Sequence, residues 1–75
     1  MKKDDIKTGV CYTDGKGAVR LVVAEGPEYV LYPGQTTTDN VRYRLLAKKR
    51  GPNVVGKEYN STRASFAAWA KSAQS

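Results

Sequence analysis

The side chains suited to acid–base, nucleophilic or ion-binding work are seven carboxylates, one thiol and thirteen cations; histidine is absent. That absence removes imidazole general-base catalysis and imidazole metal ligation. A single cysteine, Cys11, allows neither an internal disulfide nor a multi-cysteine zinc site. With no histidine to activate it, Cys11 reads as a small buried strand residue. The carboxylates Asp4, Asp5, Asp14, Glu25, Glu28, Asp39 and Glu58 fall mostly in predicted loops or near the chain start. No two of them are spaced to share one rigid element, as paired acid–base work requires. The expectation is a non-enzyme with no metal and no cofactor.

The cations are arranged more suggestively. Residues 1–40 hold five basic against six acidic side chains, net −1, whereas residues 41–75 hold eight against Glu58 alone, net +7. Arg42, Arg44 and Lys48 sit two and four positions apart on one predicted strand, and so share a face. If Arg20 faces the same way from a neighbouring strand, four cations converge on one sheet surface. Lys48-Lys49-Arg50 then leads into a turn at Gly51-Pro52. Such a patch holds phosphates by attraction and counterion release, and Tyr29, Tyr32 or Tyr59 would add stacking platforms for a single strand. The competing reading is a solvated outer face that keeps the sheet soluble and blunts edge pairing. Asp14-Gly15-Lys16-Gly17 lacks the following helix and the spacing of a phosphate loop, and reads as a hairpin turn.

The elements that must position these groups follow from local pattern. Val10–Thr13 is the first predicted strand; Asp14-Gly15 turns the chain into a second at Ala18–Ala24. There Val19, Leu21 and Val23 share the expected core face, with Arg20 and Val22 opposite. Gly26-Pro27 breaks it, and Tyr29–Tyr32 is a short third candidate ended by Pro33-Gly34. A long strand is predicted from Val41 to about Lys48, with Val41, Tyr43, Leu45 and Ala47 inward. Val54-Val55 and Glu58-Tyr59 suggest a last strand interrupted at Gly56. The period then changes. Phe66, Trp69, Ala70 and Ala73 follow helical spacing in an alanine-rich stretch, with Ser61 or Thr62 as cap, predicting a helix from about Arg63 to Lys71.

Four or five strands and a helix in 75 residues predict one small domain, mainly β, with residues 1–7 and 73–75 frayed. A chain this short buries only ~60% of its unfolded surface, so its stability margin is thin. Curling the antiparallel sheet into a small barrel is the expected way to cover its apolar face. No apolar run approaches the ~18 residues of a membrane span. Met1-Lys2-Lys3 runs into Asp4, Asp5 and Lys7 instead of the apolar stretch of a signal peptide. These points predict a cytoplasmic protein with no membrane partner, and make the acceptor match Asn60-Ser61-Thr62 a coincidence of composition.

Gly9-x-x-Tyr12, Gly15-Lys16-Gly17-x-x-Arg20-x-Val22, Val41-Arg42-Tyr43 and Ser65-Phe66-Ala67-Ala68-Trp69-Ala70 together resemble a loose group of small uncharacterised phage and prophage proteins. The resemblance implies a phage or prophage origin, hence a bacterial host cell, and an SH3-like barrel. It carries no activity and no functional residue across.

Three functions are compatible with these features. The first is a binding module that contacts an anionic partner, nucleic acid or an acidic protein, through Arg20, Arg42, Arg44, Lys48, Lys49 and Arg50. The second is a protein-interaction accessory factor using its tyrosines on a host or phage protein. The third is a homo-oligomeric structural protein that buries a strand edge or the Trp69 helix against its own copy.

Overall fold

The alternation of β-prone residues and its switch to helical spacing resolve, in a computed structural model, into five strands and one helix; residues 1–74 are described. A short 3-10 turn at Lys3–Asp5 precedes β1 (Cys11–Thr13), β2 (Val19–Glu25), β3 (Asn40–Ala47), β4 (Glu58–Thr62), α1 (Arg63–Trp69) and β5 (Ser72–Gln74). All neighbouring strands are antiparallel, in the order β4-β3-β2-β1-β5. The mainly β class with a C-terminal helix is as expected. The sheet does not close into a barrel, because β4 and β5 lie at opposite edges.

The helix makes closure unnecessary. It leaves β4 at one edge and the chain re-enters the sheet as β5 at the other. Five strands span roughly 19 Å and a seven-residue helix about 10 Å, so α1 and the extended Ala70-Lys71 together cross one whole face. Thr62 is the cap, its hydroxyl accepting from the Ser65 N–H at 3.1 Å. Beneath the helix lies the core: Ile6, Tyr12, Val22, Val41, Tyr43, Phe66, Ala67 and Ala70, with Leu45 also buried. Full burial of Phe66 alone contributes ~1.5–3 kcal/mol of transfer free energy.

Several expectations change on this framework. The buried face of β2 is the Arg20–Val22 face, not that of Val19, Leu21 and Val23. Antiparallel partners share a face, and Tyr12 pairs with Arg20 while Val22 pairs with Tyr43. Val22 is fully buried; Val19, Leu21 and Val23 are only half-covered. Tyr29–Tyr32 forms no strand; it lies in the loop between β2 and β3, tied to β4 by the Asn60 side-chain amide, which donates to the Val30 carbonyl at 3.0 Å. Val54 and Val55 lie exposed in a turn that Gly56 closes with φ +93° before β4 begins.

Both ends make contacts with the rest of the chain. Ile6 is fully buried, and the Tyr12 hydroxyl accepts from the Lys7 N–H and donates to the Asp5 carbonyl, both at 2.7 Å. Residues 73 and 74 belong to β5, paired with β1; residue 75 lies outside the described residues. Without β5 the three-residue β1 would leave its backbone groups unpaired on that edge.

Candidate functional site: a basic end of the sheet

The predicted four-cation sheet surface divides. Arg42 and Arg44 do point away from the core, in register with Asn60 and Glu58 on β4. Their charge is committed there. Glu58 accepts from Arg42 Nε at 2.9 Å and from Arg44 at 2.8 Å, and Arg42 also donates to the Asn60 side chain at 2.9 Å. Hydrogen bonds from Arg42 and then Arg44 hold the Glu58 carboxyl below the usual carboxylate range.

Arg63, a third cation of the basic half, is a clamp. It bonds Asp39 at 2.8 Å, Glu25, and the Ile6 carbonyl, tying the loop before β3 and the N-terminal segment to the helix start. Its hydrogen bonds to the Asp39 and Glu25 carboxylates raise its pKa further. The register explains how Glu25 gets there. A bulge at Val23 shifts the alternation, so that Ala24 pairs with Arg42 and Glu25 falls opposite Val41, on the helix side. Nearby, buried Asn40 anchors the same loop: its carbonyl oxygen accepts from Gln35 and its amide donates to the Thr37 carbonyl. An asparagine between a polar loop and a strand gave no sign of this role.

Several of the other cations gather at one end of the sheet, where the β1–β2 and β3–β4 turns meet. Asp14, Lys16, Ala18, Lys49 and Arg50 line one open cleft there, and Ala18, Arg20, Leu45, Lys48 and Arg50 are among the walls of a second. Lys71 approaches Gly15, and the Lys49 stem lies directly over Gly17. Lys48 donates to the Gly51 carbonyl at 2.8 Å and so braces its own turn. The one acid present, Asp14, accepts from the N–H groups of Lys16 (2.8 Å) and Ala18 (3.2 Å). The Lys16 bond, foremost, lowers its pKa, so the carboxylate stays ionised while shaping the hairpin. Lys16 and Lys71 were not among the sequence-predicted binding residues; Lys16 shares a cleft with Lys49 only because the two turns meet, and Lys71 comes to Gly15 from the segment between α1 and β5.

Arg20 joins this end from the covered face. Its guanidinium carbon lies 4.0 Å from the Trp69 ring centre, 4.6 Å from that of Tyr43 and 5.9 Å from that of Phe66. Desolvation lowers its pKa, yet at neutral pH arginine remains charged. Among the described residues no carboxylate forms an ion pair with it, and its buried Nε has no hydrogen-bond partner. An unmatched buried donor costs about 1–3 kcal/mol, which aromatic contact only partly offsets.

Apart from Tyr43 beneath Arg20, the tyrosines do not join the cations of the basic end. Tyr12 and Tyr43 are core, Tyr59 packs at 5.9 Å from Tyr43 with its hydroxyl accepting from the Val54 N–H, and Tyr32 is exposed on the loop between β2 and β3. No described helix is long and apolar enough to cross a membrane. Comparison with protein-family models, with curated proteins and with solved structures finds no match.

Proposed function

We propose that this protein is a small non-catalytic binding module for an anionic polymer, with nucleic acid as the partner, and that it makes contact through the end of the sheet. The observation that carries this reading is the meeting of two turns that bring Lys16, Lys49 and Arg50 around a single, internally hydrogen-bonded Asp14, with Lys71, from the segment between α1 and β5, beside Gly15. The outer face of β3 is a weaker candidate, since Glu58 engages both of its arginines. No aromatic ring lines either cleft of the basic end, so the contact is with phosphates and indifferent to sequence. A phage or prophage origin, implied by the sequence resemblance, fits a module of this kind in a bacterial host cell.

Titration of labelled single-stranded and duplex oligonucleotides at 50 and 200 mM salt tests the proposal. Three neutralised duplex phosphates give a fall in affinity of about 40-fold across that range. Exchanging Lys49 and Arg50 for glutamine should remove most of this salt dependence, whereas exchanging Arg42 and Arg44 should leave it largely in place. Absence of binding at 50 mM salt rejects the reading.

A second reading has its own observation. Val30, Leu31 and Tyr32 are exposed on the loop after β2, and Val30 and Leu31 share a shallow cleft with Arg42, Glu58, Tyr59 and Asn60. An apolar patch bordered by an ion pair suits a protein partner. Capture of a bacterial protein that survives nuclease treatment and is lost in Leu31→Asp would favour it.

A further inference from the structure

We propose that Arg20 is the seat of a single phosphate group, held at the mouth of the cleft between β2, β3 and the turn that follows β3. The inference rests on the reading of the basic end as an anion-contact surface, and names the group that enters deepest. Three observations lead to it. First, Arg20 is a half-buried cation with no ion-pair partner among the described residues, in a molecule that matches Arg42, Arg44 and Arg63 to carboxylates.

Second, the guanidinium is held in place. Trp69 and Tyr43 lie against it at 4.0 and 4.6 Å, and β2 fixes its stem, so little conformational freedom is left to lose when an anion arrives. Third, the cleft it lines measures about 200 Å³ and is walled by Lys48, Arg50, Gly51, Pro52 and Asn53 together with buried Leu45. That is below the ~300–1,000 Å³ of sites for drug-sized ligands, and suits one small ion. Arg20, Arg50 and Lys48 line it from different elements, β2 and the turn after β3, and the Lys48 ammonium would exchange its bond to the Gly51 carbonyl for the anion. A tetrahedral oxyanion, with acceptors on every side, matches such a set better than a planar carboxylate. In a bound nucleic acid this phosphate would lie beside those contacted by Lys16 and Lys49.

The test is a titration of the full chain with inorganic phosphate, run against sodium chloride at equal ionic strength and followed by ¹H–¹⁵N NMR. The Arg20 Nε–H and the Trp69 indole N–H signals should move together and saturate with phosphate but not with chloride. Arg20→Lys, which keeps the charge and loses the planar fork, should weaken the effect about tenfold, and Arg20→Met should abolish the response of Trp69. If Arg20→Met fails to fold, Arg20→Lys and Lys48→Gln carry the same comparison. Equal shifts with phosphate and chloride, or none, overturn the proposal. Oligonucleotide binding with an unmoved Arg20 signal overturns this seat alone and leaves the module reading intact. A saturable phosphate response without oligonucleotide binding supports the seat and rejects the nucleic-acid partner.

Discussion

The Arg20 guanidinium lies 4.0 Å from the centre of the Trp69 ring, and Trp69 in turn packs on Phe66 with ring centres 5.3 Å apart. This stack joins the end of the helix to the middle of the sheet, over a core with few large aliphatic side chains. Trp69→Leu keeps apolar volume but removes the ring face that attracts the cation. We expect a loss of about 1–3 kcal/mol, combining reduced burial with a cation–π contribution of ~0.5–2 kcal/mol. Urea unfolding measures it, and an unchanged midpoint would show that the stack contributes nothing to stability.

A second prediction concerns the N-terminal segment. The Tyr12 hydroxyl is one of its links to the sheet, accepting from the Lys7 N–H and donating to the Asp5 carbonyl. Tyr12→Phe keeps the edge-on contact with Phe66 but strands both backbone groups. A cost of ~1–3 kcal/mol is expected. Hydrogen exchange should then rise at residues 5–8 more than in β2. Uniform acceleration across the sheet would mean that the segment and sheet open together, and equal protection in both proteins would dismiss the clamp.

These two contacts also explain what could be read from residue order and what could not. β3 was readable because Val41, Tyr43 and Leu45 alternate with arginines, and α1 because Phe66 and Trp69 keep helical spacing. β2 was ambiguous. It has apolar residues on both faces, and the choice between them is made by Tyr12, Tyr43 and Phe66, which come from other elements. Arg20 consequently lies on the covered face, where its stem can rest on rings. The free cations were hidden for a related reason. Glu58 stood out as the lone acid of the basic half, but only the β3–β4 register shows that it satisfies Arg42 and Arg44 together. β5 had no local signal, because Ser72-Ala73-Gln74 becomes a strand only where β1 offers an open edge.

Glu58 gives a pH prediction. Arg42 and Arg44 depress its folded-state pKa, so the unfolded chain binds the proton more readily. The stabilisation is therefore complete above the ordinary carboxylate range and is lost as pH falls through the depressed folded value. Glu58→Gln should be less stable than the parent at pH 7, where two guanidinium groups lose their shared carboxylate. As pH falls below the ordinary carboxylate range and through the depressed folded value, the two stability curves should converge. A constant gap down to strongly acid pH would mean that the side chain acts through packing and not through charge.

The last prediction concerns the turn under Lys49. Gly17 has φ +101°, and a Cβ there would stand 2.9 Å from Lys49 Cγ. Gly17→Ala thus meets two obstacles, one in its own backbone and one in a neighbour. The backbone obstacle costs about 1–2 kcal/mol, because an L side chain is disfavoured at positive φ. The contact itself is with the middle of a flexible side chain on an exposed turn, which can swing aside. Gly17→Ala should accordingly cost nearly the same in a Lys49→Ala background, with a coupling below ~0.5 kcal/mol. Oligonucleotide affinity should nevertheless fall in the single variant, because Lys49 loses its place over the hairpin and the cations of the two turns no longer meet. A coupling above ~1 kcal/mol would show that Lys49 is pinned on the turn and belongs to the fold. Unchanged affinity, with the glycine replaced and Lys49 displaced, would remove Lys49 from the contact surface.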